Sequence, residues 1–233
     1  MKKNQSAFTL IELLVVITII AILASIALPV FNGVTERANQ TKDLANAKQV
    51  ALALKLFAGD NNGSFPTYKD PDGQTGAITT ANQAFRELFP NYLTSEVIFY
   101  LPGSAYTPKA PDNSYDLAPT GGTYAQTLKA GENNFAYVTN LTETSNPSFP
   151  LIADGFDTIA KYTTDKTKKG GAWAAKKAIV VFCDTSGQIM KVDQTLLAPT
   201  RIVSGGSTTG SIFDTTGTDT AWLGTGNLVV DPE

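Results

Sequence analysis

The chain has 233 residues, of which 18 are Lys or Arg and 21 are Asp or Glu, so its formal net charge is −3. General nucleic-acid binding is disfavoured by this balance, because contact with a phosphate backbone requires clustered basic side chains. Histidine is absent, which excludes Ser-His-Asp catalysis and His-ligated zinc, and the sequence marks no other catalytic pair.

The first predicted element is an apolar helix that follows a short basic leader. Lys2 and Lys3 precede residues 8–28, an almost unbroken apolar run. As a helix, this run is roughly 31 Å long, which matches the roughly 30 Å hydrocarbon core of a bilayer. Glu12 lies inside the run, where a carboxylate costs roughly 2.5 kcal/mol or more. An ionisable group at such a place predicts a function and a partner for its charge.

The residues FTLIE at positions 8–12, after a basic leader and before a long apolar run, resemble the N-terminus of type IV pilins and type II secretion pseudopilins. The resemblance implies that a prepilin peptidase cuts between Ala7 and Phe8 and that the new amine of Phe8 is methylated. It also implies that Glu12 pairs with the Phe8 ammonium of a neighbouring subunit during filament assembly. The family usually has Gly before the cut, whereas this chain has Ala7.

Electrostatics gives this implied pair a role in alignment. A carboxylate and an ammonium in a low-dielectric environment relieve each other's burial cost, whereas either one alone is strongly penalised. The pair therefore favours one axial stagger between helices. We interpret Glu12 as setting the register between subunits rather than as a source of stability.

Two simpler interpretations of the N-terminus compete with this one. An ordinary secretory signal would use the two lysines as its basic region and residues 25–27 as a small-residue cleavage site. A plain signal anchor would hold an unrelated domain outside the cell membrane, oriented by the cytoplasmic lysines. Neither interpretation accounts for Glu12.

Beyond the apolar run, the pattern predicts that the helix continues to about residue 59. Apolar residues recur at three- and four-residue steps, which is typical of a helix with one buried face. They are Leu44, Ala47, Val50, Ala51, Leu54, Phe57 and Ala58, and Asp43 lies mostly off their stripe. Pro29 interrupts the helix, so we expect a kink or local melting there. The resemblance implies that this segment extends when subunits pack into a filament.

The helix is predicted to end in a turn that leads into a globular head. Residues 60–67, Asp-Asn-Asn-Gly-Ser-Phe-Pro-Thr, resemble the turn that follows the long helix in major pseudopilins. Asn and Gly tolerate positive φ, and Pro66 forces Phe65 toward an extended conformation. We expect Phe65 to cap the core of the head.

The remaining elements predict an α+β head. A short helix is expected at residues 80–89, followed by an ordered loop at 102–130 that its tyrosines anchor. Strands are predicted at residues 134–139, 150–153, 178–184 and 188–192. The last two strands form a hairpin through residues 184–187, with Gly187 available for a positive φ. Sequential strands with short turns predict an antiparallel meander laid on the long helix.

Cys183 is the single cysteine, so an intrachain disulfide is excluded. Its apolar surroundings predict a small buried hydrophobe in a central strand rather than a reactive thiol. In the family, adhesive pilins often close their C-terminal region with a disulfide, whereas secretion pseudopilins commonly do not and some use calcium. The resemblance therefore favours the secretion branch.

The sequence indicates no cofactor and leaves calcium open as a ligand. Calcium loops need several carboxylate and carbonyl oxygens. The candidate ligands are Asp70, Asp72, Asp214 and Asp219. Neither the segment with Asp70 and Asp72 nor the segment with Asp214 and Asp219 has a complete calcium loop with a closing Glu. Plain solvated turns are therefore the competing and simpler interpretation.

Together these features divide the chain into a leader (1–7), a transmembrane and assembly helix (8–29), an amphipathic helix (30–59) and a head (60–233). The predicted function is that of a pseudopilin, a non-enzymatic filament subunit of a type II secretion system. Its expected partners are copies of itself, other pseudopilins, an inner-membrane assembly platform and the prepilin peptidase. Its expected location is the bacterial inner membrane with a periplasmic head, and then a periplasmic or surface filament. The alternative is a type IV pilin of a surface pilus that acts in adhesion, motility or uptake.

Overall fold

The computed structural model of the chain describes residues 9–67, 78–117, 124–202, 209–215, 223 and 226–233. The chain divides after residue 41 into two compact units. The first unit consists, in its described part, of the first portion of helix α1 (Leu10–Asp60). The second unit contains the end of α1 and the head.

Helix α1 is α-helical without interruption from Leu10 to Asp60, which confirms the long helix that the sequence predicts. Of the two outcomes predicted at Pro29, a kink or local melting, local melting is wrong, because the helix continues on both sides of this residue. The kink stays a prediction. A proline removes one backbone hydrogen bond, and the flanking turns keep theirs, so the helix tolerates the loss. The turn after α1 has its positive φ angles at Asn62 (55°) and Gly63 (76°), which confirms the prediction for this segment.

The second portion of α1, residues 42–60, buries the predicted apolar stripe. Ala47, Val50, Ala51, Leu54 and Ala58 are each at most 3% exposed and belong to the core of the head. Burial of this face removes apolar surface from water, which is the main contribution to the docking of this portion on the head.

The head contains an antiparallel sheet of seven strands among the described residues. They are β1 (Phe135–Val138), β2 (Pro150–Asp154), β3 (Lys177–Phe182), β4 (Gly187–Asp193), β5 (Ala198–Ile202), β6 (Thr209–Ser211) and β7 (Val229–Val230). The order is β6-β5-β4-β3-β2-β1-β7. Strands β1 to β6 form the meander, and β7 returns to pair with β1. The α+β class and the first four strands are as predicted.

The β3–β4 hairpin forms, but Gly187 stands there for a different structural reason from the one predicted. Thr185, and not Gly187, takes the positive φ, at 65°. A Cβ at Gly187 would lie 2.8 Å from Cδ1 of Leu44 and 2.7 Å from Cε of Lys48, both on α1. A side chain at this position would have to displace the ends of Leu44 and Lys48, so the close packing of the helix against the hairpin favours glycine here.

Two short helices precede the sheet. Helix α2 (Ala81–Arg86) is shorter than predicted, because the chain tightens into turns in which the amide of Phe89 donates to the carbonyl of Arg86. Pro90 disfavours α-helical backbone at Phe89 and so contributes to this early end. A 3₁₀ helix, η1 (Glu96–Phe99), follows.

Aromatic and sulfur side chains fill the core as predicted. Phe65 is 1% exposed, and the Tyr106 hydroxyl donates to the carbonyl of Phe156 at 2.7 Å, which anchors the long loop. Cys183 is buried one residue beyond the end of β3. Burial raises the pKa of the Cys183 thiol to about 11, so little reactive thiolate forms at neutral pH.

Candidate assembly site

The candidate site is the N-terminal end of α1. Ala7 and Phe8 lie outside the described residues, whereas Thr9 and Glu12 are described. Thr9 precedes the first helical residue, and Glu12 is the third residue of the helix. A threonine and a glutamate at this spacing form a capping box, in which each side chain serves the other residue's backbone amide.

The distances show this reciprocal arrangement. The backbone amide of Thr9 donates to Oε2 of Glu12 at 2.9 Å, and the Thr9 hydroxyl donates to the same oxygen at 2.7 Å. In return, the amide of Glu12 donates to Oγ1 of Thr9 at 3.3 Å. The negative charge also lies in the first turn, where the helix dipole favours it. Glu12 therefore stabilises the start of its own helix.

The capping box uses one of the two carboxylate oxygens of Glu12. Within the described part of the chain, Oε1 of Glu12 accepts no hydrogen bond. The carboxylate can therefore accept a donor from another group while the cap stays intact. The sequence analysis missed the role of Thr9, although the pattern Thr-x-x-Glu before an apolar run signals it.

The surface of α1 beyond Glu12 is apolar all round. Between Leu10 and Leu28, nearly every side chain is exposed, with Leu10 at 86% and Ile19 at 51%. This helix is long and apolar enough to cross a membrane by length and composition. A helix that is apolar on every face needs a lipid environment or other apolar helices around it.

The polar side chains of the apolar segment are satisfied inside the helix. The Thr18 hydroxyl donates to the carbonyl of Leu14 at 2.7 Å, and the Ser25 hydroxyl donates to that of Ile22 at 2.8 Å. Such internal bonds suit a segment in contact with lipid, where water does not satisfy polar groups. Glu12 is the one side chain between Leu10 and Leu28 that can carry a charge.

Of the four calcium candidates, the described part of the chain includes Asp214 alone. Asp70, Asp72 and Asp219 lie outside this part. Asp214 follows β6, where its backbone amide donates to the carbonyl of Ser211 at 3.3 Å. Calcium at these residues stays a prediction.

The head also contains a buried carboxyl pair that the sequence analysis missed. Asp154, at the end of β2, accepts hydrogen bonds from Nε1 of Trp173 and the amide of Ile179, each at 2.9 Å. Asp43 of α1 lies beside it and is 2% exposed, against the prediction that it lies off the buried stripe. Burial and the neighbouring Asp154 charge raise the pKa of Asp43 well above its usual value. We interpret Asp43 as a neutral acid that donates its proton to Asp154.

This pair is a structural link and not a catalytic dyad. Asp43 and Asp154 are 2% and 3% exposed, so a substrate has no access to them. Their close approach links α1 to the sheet inside the second compact unit.

Comparisons with known proteins agree with the geometry of the N-terminus. Residues 2–28 match the family model described as the prokaryotic N-terminal methylation motif. The chain is 42% identical over 66 residues to the type II secretion system core protein G of Aeromonas hydrophila, which covers 28% of this chain and 46% of that protein.

Pilus proteins are also similar to this chain. A fimbrial protein of Dichelobacter nodosus is 35% identical over 98 residues, or 41% of this chain and 60% of its own. The type IV wide pilus major component PilA4 of Thermus thermophilus is 42% identical over 60 residues, or 26% of this chain and 46% of its own. The chain spans about half the length of the relatives it matches. No solved structure matches it.

The motif, the capped apolar helix and the similarities point to one group of proteins. The resemblance seen at residues 8–12 is confirmed by the match over residues 2–28. The N-terminal region of this chain is that of a type IV pilin-like protein, the group that includes fimbrial subunits and type II secretion pseudopilins.

Proposed function

We propose that the chain is a structural filament subunit, a pseudopilin of a type II secretion system, and not an enzyme. The observation that carries this proposal is the Glu12 carboxylate in the first turn of an exposed, apolar helix. The similarity to a type II secretion core protein G supports it. The exposed helix supplies an apolar surface for packing against other subunits, and the head supplies the outer layer of the filament.

Processing would prepare the assembly contact. A prepilin peptidase would remove residues 1–7 and leave Phe8 as the new, methylated N-terminus, directly before the Thr9–Glu12 capping box. The ammonium of Phe8 on one subunit would meet Oε1 of Glu12 on its neighbour, since Thr9 occupies Oε2. A charge pair in a low-dielectric setting favours one stagger between helices, and it leaves the helix cap intact.

Membrane insertion would come before assembly. Lys2 and Lys3 favour the cytoplasmic side, so the subunit would cross the bacterial inner membrane once, with its head in the periplasm. Other pseudopilins and an inner-membrane assembly platform would then add it to a filament. The uninterrupted helix at Pro29 would be the starting state for any extension of this segment in the filament.

A type IV pilin of a surface pilus is the second candidate function. The similarity to a fimbrial protein of Dichelobacter nodosus extends over 98 residues, against 66 for the secretion protein. A pilin would use the same N-terminal helix and would present its head for adhesion, motility or uptake.

Mass spectrometry of the mature N-terminus tests the shared part of both functions. We expect a chain that begins at a methylated Phe8. A chain that begins at Leu28 would instead indicate an ordinary secretory signal, and an intact Met1 would contradict processing after Ala7. Deletion of the gene then separates the two functions, because loss of protein export with surface pili intact indicates a pseudopilin. Loss of pili with export intact indicates a pilin.

A further inference from the structure

Lysines are concentrated at one end of the sheet. Residues 161–177 contain six lysines and one carboxylate, although the whole chain has a formal net charge of −3. They belong to the connection between β2 and β3 and to the start of β3, and β4 adds a seventh lysine at the same end. We call these exposed side chains the lysine surface; they are Lys161, Lys166, Lys168, Lys169, Lys176, Lys177 and Lys191.

Two of these lysines face each other directly. Lys177 of β3 and Lys191 of β4 are register partners in an antiparallel pair, so their side chains lie on the same face of the sheet, and both are exposed. Like charges at directly opposite positions destabilise a sheet. Neither lysine forms an ion pair with a residue that the structure describes. An anionic group from outside the subunit would relieve this repulsion.

The carboxylates in these segments serve their own turns. Oδ1 of Asp165 accepts a hydrogen bond from the amide of Thr167 at 2.9 Å, and Oδ1 of Asp193 accepts one from the amide of Thr195 at 2.8 Å. Asp157 is the third carboxylate and is exposed. Seven ammonium groups thus share this end of the sheet with three carboxylates, which leaves it positive.

The opposite end of the sheet is acidic. It is formed by residues 60–67 and by the loops 139–149 and 183–186, which connect β1 to β2 and β3 to β4. The amide of Glu143 donates to the carbonyl of Gly63 at 2.8 Å, and the amide of Asp184 donates to that of Pro147 at 3.3 Å, so these segments are neighbours. They contain no basic residue. We call their exposed carboxylates the acidic surface; they are Asp60, Glu143 and Asp184.

Other charged groups of the head leave this polarity in place. Lys55 of α1 interacts with Asp184 and offsets one of the three carboxylates of the acidic surface. A further group of carboxylates lies in η1 and in the loops before β1, with one oxygen of each within 4.8 Å of the other two; they are Glu96, Asp112 and Glu132. Strand β2 separates this group from the strands that carry lysines, and Lys129 bonds to Asp112 at 2.8 Å. It belongs to neither surface.

We propose that the lysine surface of one subunit docks on the acidic surface of a second copy of this chain. This inference rests on the proposed function as a filament subunit, and it names the surfaces through which two heads meet. The surfaces lie at opposite ends of one sheet, so the contact joins different patches of the two partners. Contacts of this head-to-tail kind build open filaments when they do not close into a ring. Complementary charge selects this pairing over contacts between like ends.

The test uses the full chain in intact cells, with one cysteine on each surface. Thr164→Cys marks the lysine surface and Thr144→Cys marks the acidic surface, and both positions are exposed. The native Cys183 is buried, so the new thiols are the reactive ones. When differently tagged copies of the two variants are expressed together and oxidised, we expect the mixed disulfide dimer to dominate. Each variant expressed alone must join two like-charged surfaces, so we expect few dimers from it.

Charge reversal then locates the contact. Lys177→Glu with Lys191→Glu, in the copy that carries Thr164→Cys, exchanges one like-charged pair for another, so we expect the sheet to keep its stability. The yield of the mixed dimer is expected to fall at least about tenfold, because like charges then face each other across the interface. Lys42→Glu with Lys109→Glu makes the same change in net charge at two exposed positions outside the lysine surface. This matched control is expected to keep the yield.

The reciprocal change supplies a rescue. Asp60→Lys with Glu143→Lys, in the copy that carries Thr144→Cys, makes the acidic surface positive and is expected to lower the yield by itself. Combined with the reversed lysine surface, it is expected to restore the mixed dimer, because opposite charges face each other again. A misfolded head does not give such a rescue, and neither does a lysine surface that binds an anionic membrane.

Three results would overturn the proposal. They are same-surface dimers as abundant as the mixed dimer, a mixed dimer that survives either reversal, and a loss of the mixed dimer that the combined reversal does not restore. The last result would assign the lysines to another anionic partner, such as a membrane surface. Normal protein export and a methylated Phe8 in the same cells would leave the proposed function standing, so the two failures are distinguishable.

Discussion

The two portions of α1 both carry apolar side chains but have opposite surroundings. Side chains between Leu10 and Leu28 are exposed nearly all round, whereas the stripe from Ala47 to Ala58 is buried in the core of the head. The second portion therefore finds its partners within its own chain, and the first portion must find them outside it. A helix of uniform secondary structure can thus combine a folding surface with an assembly surface.

The largest expected effect concerns the first portion. Glu12→Val should still insert in the membrane, because it makes the span more apolar, yet it should fail to form filaments since the register contact is lost. Filaments sheared from cells and examined by electron microscopy measure this outcome. Thr9→Val is the control, because it removes the hydroxyl of the cap and keeps the carboxylate. Normal filaments from Glu12→Val would show that the first portion of α1 does not need the Glu12 contact for assembly.

The next effect concerns the buried stripe. Leu54→Ala should reduce the free energy of unfolding of the head by about 2–5 kcal/mol, because it leaves a cavity at a completely buried position. Leu52→Ala, on the exposed side at 57%, should change it by less than about 0.5 kcal/mol. Denaturant unfolding of the full chain in micelles gives both values. Equal losses would mean that the helix docks through another face.

The buried pair of Asp43 and Asp154 predicts a pH dependence. The pKa of Asp43 is raised by burial and by the Asp154 charge, so the folded state keeps a proton that the unfolded chain releases above about pH 4. The free energy of unfolding should therefore fall as pH rises from about 4 toward the raised pKa. Asp231, whose pKa burial raises to about 6, adds a fall of the same sign between about pH 4 and 6.

Asp43→Asn isolates the contribution of the pair. The amide keeps a donor for Asp154 and does not titrate, so the dependence of the unfolding temperature on pH should become flatter. Thermal unfolding of both proteins at several pH values between about 4 and 8 checks this. Parallel curves for the two proteins would show that Asp43 does not hold the proton.

The smallest effects come from two glycines, one in each compact unit. Gly187→Ala should reduce the free energy of unfolding by about 1–2 kcal/mol, because its methyl group must displace the ends of Leu44 and Lys48. Gly33→Ala has open space around the new methyl group and should stabilise α1 by about 0.5–1 kcal/mol. Unfolding curves for the head and the helical signal of the full chain measure the two changes.

Local patterns of the sequence were sufficient for several parts of this structure. The apolar run, the stripe from Leu44 to Ala58 and the strands at 134–139 and 178–184 follow from spacing alone, because hydrophobic periodicity reflects burial. The positive φ of Gly63 follows from turn chemistry. At Pro29, however, local preference predicted a kink or local melting, and the helix continues through this residue without melting.

Other features depend on residues that are distant in the sequence. Asp43 looked like a solvated side chain until the fold placed it beside Asp154. Strand β7 is recognisable only because β1 offers it an edge. The purpose of Gly187 depends on the approach of α1 and not on the conformation of its own turn.

By itself, the sequence determined that this chain has a pilin-like N-terminus, a two-faced long helix and an α+β head, because each of these is encoded in adjacent residues or short periods. Only the tertiary structure decided which carboxylates meet, namely Asp43 with Asp154, and Glu96 with Asp112 and Glu132. The physical reason is that periodicity records whether a side chain is buried, whereas the partner of a buried charge is chosen by chain segments that meet only when the protein folds.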